Sequence, residues 1–104
     1  MQITTTTEES GIRLSPSGRL DAMSMKQFED CVEPYLAEGT NPVTLDFSEL
    51  SYISSCGLRI IMNAVKKLNL QGRKLTIRNA QPNVYEIFVL TGFQNFIDIS
   101  QKMD

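Results

Sequence analysis

The sequence contains no histidine and no tryptophan, and only two of its 104 residues are cysteine. The absence of histidine excludes Ser-His-Asp and Cys-His catalysis, histidine zinc ligands and histidine-based acid–base chemistry. Two cysteines are too few for a four-thiolate metal site. We therefore expect a protein that is not an enzyme and that binds no metal and no cofactor. The two thiols, Cys31 and Cys56, are expected to stay reduced.

The chain also lacks a large excess of charge and a long apolar run. Its net charge of −2 offers no basic footprint for DNA or RNA. No apolar run approaches membrane-spanning length, and the polar N-terminus has no apolar signal-peptide segment. The length and the hydrophobic fraction of 41% fit one small domain, residues 1–104, with one core. We expect a cytoplasmic protein, a monomer or weak dimer, that binds neither nucleic acid nor membrane.

The hydrophobic periodicity predicts an α/β fold. Apolar residues alternate in some segments, and they recur at spacings of three and four in others. The predicted strands are residues 3–7, 12–20, 43–47, 75–77 and 96–99, and the predicted helices are 22–37, 58–70 and the stretch from residue 82 to the stop signal Gly92. The order β-β-α-β-α-β-α-β predicts a single small mixed sheet, mostly parallel, with an antiparallel N-terminal hairpin and about three packing helices.

Prolines and glycines mark where these elements are expected to be irregular or to end. Pro16 and Gly18 are expected to interrupt or bulge the second strand. Pro34 is expected to bend or shorten the last turn of the first helix, since its ring opposes the carbonyl of residue 30. Gly72 is a natural residue for the end of the second helix. The polar tail, residues 100–104, is expected to fray.

The most informative segment is the handover from the third predicted strand to the second helix. Two hydroxyls and a thiol, Ser54, Ser55 and Cys56, precede Gly57 and the helix. One interpretation is structural: a serine caps the helix and contributes about 1 kcal/mol relative to alanine. The other is functional: the positive end of a helix accommodates the charge of a phosphate added to a serine there. The sequence leaves both interpretations open.

Asp21 ends the second predicted strand, where the first helix begins. Strand ends that precede helices lie on one edge of a parallel sheet, so Asp21 is expected near the Ser55 turn. A role as the N-cap of the first helix is compatible with that position. Arg59, Lys66 and Lys67 follow on the second helix, either as a solvated face or as a footprint for an acidic partner.

Four motifs in order give the chain a resemblance to a known family. They are GRLD at 18–21, LDFS at 45–48, SSCGL at 54–58 and PNVYEIFVLTGF at 82–93. In this arrangement the chain resembles the STAS domain of bacterial anti-sigma factor antagonists, over residues 11–99. The resemblance implies a STAS-like fold.

The resemblance also implies a site and a mechanism. Ser55 stands at the family's phosphoacceptor, Ser54 replaces the usual aspartate and Cys56 replaces the second serine. The implied partner-binding residues are Asp21, Ser54, Ser55, Cys56, Gly57 and Arg59. The implied function is an anti-sigma factor antagonist that binds an anti-sigma factor serine kinase and thereby releases a sigma factor. Phosphorylation of Ser55 would weaken that complex, and a serine/threonine phosphatase would reset it.

Two alternatives stay open. The neutral Ser54 removes one negative charge beside the acceptor, which favours a STAS-like scaffold or transporter-associated subunit that binds its partner without phosphorylation. A thiol near a helix N-terminus is also a candidate nucleophile, so the remaining alternative is a thiol enzyme centred on Cys56.

Overall fold

The computed structural model describes residues 1–9, 11–37 and 41–102 of the chain. Within these ranges the elements are β1 (Gln2–Glu8), β2 (Gly11–Leu20), α1 (Met25–Ala37), β3 (Val43–Asp46), β4 (Leu50–Ile53), α2 (Ser55–Leu70), β5 (Leu75–Ala80), α3 (Pro82–Leu90) and β6 (Asp98–Gln101). A short 3-10 helix, Phe93–Asn95, precedes β6. The predicted α/β class and the three helices are confirmed.

The strands form one mixed sheet. Their order is β1-β2-β3-β5-β6, and β4 pairs with β2 off this path. β1 and β2 are antiparallel, and the other described pairings are parallel. This confirms the N-terminal hairpin and the mostly parallel sheet, with β1 at an edge. Because β2 leads into α1 and β4 leads into α2, the starts of both helices meet at one edge of the sheet.

The second strand serves two parallel partners in succession. Its residues 12–14 pair with β3, and its residues 18–20 pair with β4. Pro16, which has no N–H to donate, lies between these two segments, and the register shifts between Gly18 and Arg19. Gly18 has a φ of +102°, a conformation that favours glycine. The predicted bulge is confirmed, whereas β4 was not predicted.

One face of the sheet is apolar and carries the core. Leu14, Leu45 and Ile77 stand side by side in register, and each is at most 1% exposed. Side chains of the helices, among them Phe28 of α1 and Phe88 of α3, belong to the same buried cluster. The sequence alternation therefore assigns the sides of the strands correctly.

The opposite face of the sheet is polar. Thr44 and Thr76 are paired in register, and their hydroxyls are 3.2 Å apart. One carboxylate oxygen of Asp46 accepts from Arg13 at 3.2 Å, and the other accepts from the Asn79 amide at 3.3 Å. Asn79 has a φ of +60°, a left-handed conformation that asparagine tolerates better than most residues. The polar groups on this face are thus paired across neighbouring strands.

We expect Asp46 to make the protein less stable in acid. Burial raises the pKa of its carboxyl, but hydrogen bonds from the Ser48 N–H, Asn79 and Arg13 hold the pKa below its usual value. A carboxyl with a lowered folded-state pKa contributes stability that is present above its unfolded pKa of about 3.9 and is lost as the pH falls through the folded value. Asp46→Asn should therefore flatten the fall in unfolding free energy between about pH 5 and pH 2.

Urea titrations across that pH range measure this slope for the wild type and Asp46→Asn. Asp30→Asn is the matched control, because Asp30 lies on the exposed face of α1 beside Lys26. An acid slope that Asp46→Asn leaves as steep as in the wild type would contradict the expectation.

Several helix and strand ends differ from the prediction. α1 begins at Met25, because residues 22–24 form a turn, and it continues past Pro34 to Ala37. β6 is shifted two residues towards the C-terminus. The tail was expected to fray from residue 100. This is wrong for residues 100–102, because the Lys102 N–H donates to the Ala80 carbonyl at 2.7 Å. Residues 103 and 104 lie outside the described residues.

Candidate functional site

The two serines before Cys56 occupy different positions. Ser54 is the N-cap of α2: its backbone is extended, and its hydroxyl oxygen accepts from the Gly57 N–H at 3.2 Å. The Ser54 carbonyl accepts the first helical hydrogen bond, from the Leu58 N–H at 2.9 Å. The helix therefore begins at Ser55, three residues before the predicted start. The sequence did not decide which serine caps the helix, and the structure shows that Ser54 does.

Ser55 is the first residue of α2, and it is exposed. Because Ser54 already supplies the capping oxygen, the helix does not require the Ser55 hydroxyl at its N-terminus. That hydroxyl lies at the end of the helix where backbone N–H groups give a partial positive charge. The arrangement presents a hydroxyl that is open to another protein and able to carry negative charge.

The cap gives a quantitative prediction. We expect Ser54→Ala to lower the free energy of unfolding by about 1 kcal/mol, because it leaves the Gly57 N–H without its acceptor. Ser54→Asp, which restores a capping oxygen, should stay within about 0.5 kcal/mol of the wild type. Urea denaturation measures both variants. Ser55→Ala is the control and should change stability by less than about 0.5 kcal/mol; a larger loss for Ser55→Ala than for Ser54→Ala would reverse the assignment.

Gly57 is buried in the first turn of α2. A Cβ built on it would lie 2.8 Å from Cγ1 of Ile53 and 2.9 Å from Cγ of Leu20. The close approach of the helix to these two strand residues explains why a glycine stands here. The glycine therefore lets α2 approach the sheet closely, and the helix buries Gly57 against it. Cys56, beside it, is a half-buried free thiol.

The Asp21 turn lies against the start of α2, as the sequence predicts. Leu20 pairs with Ile53, and the Ser54 N–H donates to the Leu20 carbonyl at 2.9 Å. Asp21 also caps the turn before α1, because its carboxylate accepts from the Met23 N–H at 3.0 Å and its carbonyl accepts from the Met25 N–H at 2.9 Å. The expected role as the N-cap of α1 is wrong, because α1 begins only at Met25 and Asp21 caps the turn before it. The strand pairing holds Asp21 beside Ser54.

Arg19 and Tyr52 belong to the same surface, and the sequence analysis missed them as a pair. They face each other in the β2–β4 pairing, where the Arg19 guanidinium lies over the Tyr52 ring at 4.2 Å from its centroid. The Arg19 Nε also approaches the Asp21 carboxylate at 3.4 Å. Burial raises the pKa of Asp21, but the hydrogen bonds from the Met23 N–H and from Arg19 together lower it by more, so the pKa lies below its usual value. Asp21 is therefore ionised at neutral pH.

Arg59 is exposed one turn beyond Ser55 on α2, and both residues line one groove. The structure thus brings the predicted residues together at one edge of the sheet, with Gly57 below the surface. Across the described ranges, no group of three or more His, Cys, Asp or Glu side chains is arranged to hold a metal ion. None of the helices described is long and apolar enough to cross a membrane.

Comparisons with known proteins place this geometry in a family context. The family model described as "STAS domain" matches residues 2–104. The anti-sigma-B factor antagonist of Staphylococcus aureus (strain NCTC 8325 / PS 47) is 24% identical over 101 residues, which cover 97% of this chain and 94% of that protein.

Two solved structures share the fold. The crystal structure of a putative anti-sigma factor antagonist from Thermotoga maritima superposes with a TM-score of 0.87 at 21% identity, covering 93% of this chain and 84% of the other. The Bacillus cell fate determinant SpoIIAA in its phosphorylated form superposes with a TM-score of 0.73 at 14% identity, covering 97% and 93%. At these identities the superpositions demonstrate a common fold.

Proposed function

We propose that this chain, which belongs to the STAS domain family, is an anti-sigma factor antagonist: a binding protein whose association with an anti-sigma factor is switched by phosphorylation of Ser55. With Ser55 unmodified, the chain binds the anti-sigma factor and a sigma factor is released. The anti-sigma factor, acting as a serine kinase with its own ATP, phosphorylates Ser55 and dissociates. A serine/threonine phosphatase removes the phosphate. The chain itself is the substrate of this cycle and catalyses no step, and the cycle runs in the cytoplasm.

The observation that carries this proposal is that the two serines have different positions at the start of α2. Ser54 caps α2, so Ser55 is exposed and is not needed to start the helix. A phosphate on Ser55 would bring a charge of about −1.5 to −2 to a helix end that carries about half a positive charge. The fold therefore tolerates the modification, and its effect falls on whatever touches the surface.

The added charge would meet the negative charge that is already present. Asp21 is ionised and lies beside the start of α2, next to the strand pair that holds Ser54. Like charges brought together in a desolvated interface cost several kcal/mol, which exceeds the contribution of a typical contact at the rim. A phosphorylated Ser55 beside Asp21 therefore gives a surface that repels an acidic partner.

The remaining residues support this surface. Gly57 lets α2 rest on Leu20 and Ile53, and so fixes the position of Ser55 relative to Asp21. The half-buried Cys56 fills the first turn of the helix. Arg59 offers a positive charge one turn away from Ser55. We propose that Asp21, Ser54, Ser55, Cys56, Gly57 and Arg59 together form or support the partner surface.

The test uses the chain as bait in an extract of the organism that encodes it. The retained proteins are identified by mass spectrometry, and each is then incubated with the purified chain and ATP. A mass gain of one phosphate that fragmentation places on Ser55 is the expected result. A retained partner that carries an ATP site yet never modifies the chain would overturn the phosphorylation switch.

One observation favours a second candidate function, a STAS-like scaffold or transporter-associated subunit that binds its partner without phosphorylation. Ser54 is neutral and is occupied as a cap, whereas the resembled family has an aspartate there, whose charge would lie beside the acceptor. The same experiment separates the two functions, because a scaffold would retain a partner and gain no mass in the presence of ATP.

A further inference from the structure

A groove runs along α2 from Ser55, between this helix and the segment that follows α3. Its volume is about 490 Å³. Its apolar lining includes Leu58, Met62 and Phe93. Met62 and Phe93 are half-buried, and the Phe93 ring packs edge-on against Phe88, with 6.3 Å between the ring centroids. The floor of the groove is therefore supported from below by the core.

The residues of α2 that line this groove lie on one face of the helix. Counted from Ser55, they fall three, four, seven, eight and eleven positions further along, which places them on one stripe over three turns, about 16 Å long. A dry cavity of about 150 Å³ holds one benzene ring, so the groove has room for about three apolar side chains. A helix of three to four turns presents that number of side chains at spacings of three and four.

The charge of the groove is of one sign. Among the described residues that line it, Arg59 and Lys66 are the charged side chains, and neither forms an ion pair within the described part of the chain. Lys67, the next residue, instead pairs with Glu33 of α1 at 3.0 Å. Although the net charge of the chain is −2, two positive charges that are unpaired among the described residues thus lie beside an apolar groove. The complementary occupant is apolar and acidic.

We propose that the groove docks an amphipathic helix of the protein partner, with apolar side chains against Leu58, Met62 and Phe93 and carboxylates facing Arg59 and Lys66. The inference rests on the proposed function in assigning this helix to the partner that Ser55 controls. Ser55 lies at one end of the groove, so its phosphate would approach the carboxylates of the docked helix. The groove thereby explains how one modified hydroxyl affects a contact that extends over three turns.

Two synthetic peptides test this proposal on the full unphosphorylated chain. Each has about 14 residues, is helical and carries leucines at spacings of three and four. Glutamates flank the leucines in one peptide, and lysines flank them in the other. In ¹⁵N-resolved NMR titrations, the acidic peptide is expected to shift the amides of Leu58, Met62 and Phe93, and to bind at least about tenfold more tightly than the basic peptide.

Charge reversal supplies the matched control. The double variant Arg59→Glu/Lys66→Glu should reverse the preference between the two peptides. Lys67→Glu adds the same kind of change outside the groove, and should leave the affinity for the acidic peptide within about twofold. A second groove lies between α1 and α2 and is lined by Val32, Leu36 and Ile60 among others. The proposal is overturned if the acidic peptide gives no saturable shifts at about 1 mM, if both peptides bind equally, or if the shifts centre on this second groove.

None of these titrations uses a kinase or ATP. If the groove binds the acidic peptide but the partner never phosphorylates the chain, the docking surface is supported and the phosphorylation switch is excluded. A chain phosphorylated on Ser55 whose groove ignores the acidic peptide would do the reverse.

Discussion

Ser55→Asp should bind the captured partner at least about 100-fold more weakly than Ser55→Ala, which should bind it persistently even in the presence of ATP. Alanine removes the hydroxyl that the kinase modifies and leaves the cap on Ser54 intact. Aspartate places a fixed negative charge at the end of α2 beside the ionised Asp21. A like-charge contact in a desolvated interface costs several kcal/mol, and each 1.4 kcal/mol is about a tenfold change in affinity.

The measurement is the dissociation constant of each purified variant with the partner, by calorimetry or surface plasmon resonance, with and without ATP. The control is Asn69→Asp, which adds the same charge to an exposed position about 21 Å further along α2. It should bind like the wild type. Equal affinities for Ser55→Ala and Ser55→Asp would remove Ser55 from the interface, and a loss in Asn69→Asp as large as that in Ser55→Asp would assign the effect to net charge.

The alternation of apolar residues made the sheet predictable. Leu14, Leu45 and Ile77 each stand between polar neighbours in the sequence, and all three are buried on one face of the sheet. This pattern depends on the two-residue period of a strand and needs no knowledge of its neighbours. The end of α3 was predicted for a similar local reason, since Gly92 adopts a left-handed conformation with a φ of +78° just after the helix.

β4 could not be predicted in the same way. It has four residues and pairs only with the last part of β2, so its existence depends on a partner about thirty positions earlier in the chain. The Arg19–Tyr52 contact follows from that pairing and was missed with it. The short β6 was misplaced for a related reason: its register on β5 shifts between Ile77 and Ala80, and the sequence carries no local signal for such a shift.

The site was predicted as a group of residues but not in its details. The local sequence offered two serines with equal capping ability, and only the three-dimensional start of α2 decides between them. The same start makes Ser55 exposed and Gly57 buried. The groove beyond Ser55 could not be predicted either. In the sequence, Met62 looks like an ordinary core residue of a helix and Phe93 like a residue after a helix end. Only the tertiary structure brings them to one groove.

Gly57→Ala should destabilise the protein by about 1–3 kcal/mol, the usual cost of overpacking a core. The new methyl group would stand 2.8 Å from Cγ1 of Ile53 and 2.9 Å from Cγ of Leu20. The Leu20 carbonyl oxygen, at 3.1 Å, belongs to the backbone that receives the Ser54 N–H. To relieve these contacts the start of α2 must move away from the Asp21 turn. Partner binding should therefore weaken together with stability.

The direction of this change distinguishes packing from helix preference. Alanine favours a helix interior by about 1 kcal/mol over glycine, so preference alone predicts a more stable Gly57→Ala. Asn63→Ala, at an exposed position of the same helix, measures that preference and should stabilise the protein by a few tenths of a kcal/mol. Urea denaturation of both variants gives the two signs. A Gly57→Ala protein as stable as the wild type would mean that α2 does not require this close approach.

A double-mutant cycle identifies the contact responsible. Leu20→Ala alone should cost about 2–5 kcal/mol, because it leaves a cavity in a fully buried site. It also removes the Cγ atom that the Gly57→Ala methyl group would meet. The double variant should therefore be more stable than the sum of the two single losses by at least about 0.5 kcal/mol, since each change relieves the other. If the two stability losses were strictly additive, the strain would lie against Ile53 instead. The same cycle with Ile53→Ala in place of Leu20→Ala should then show the non-additivity.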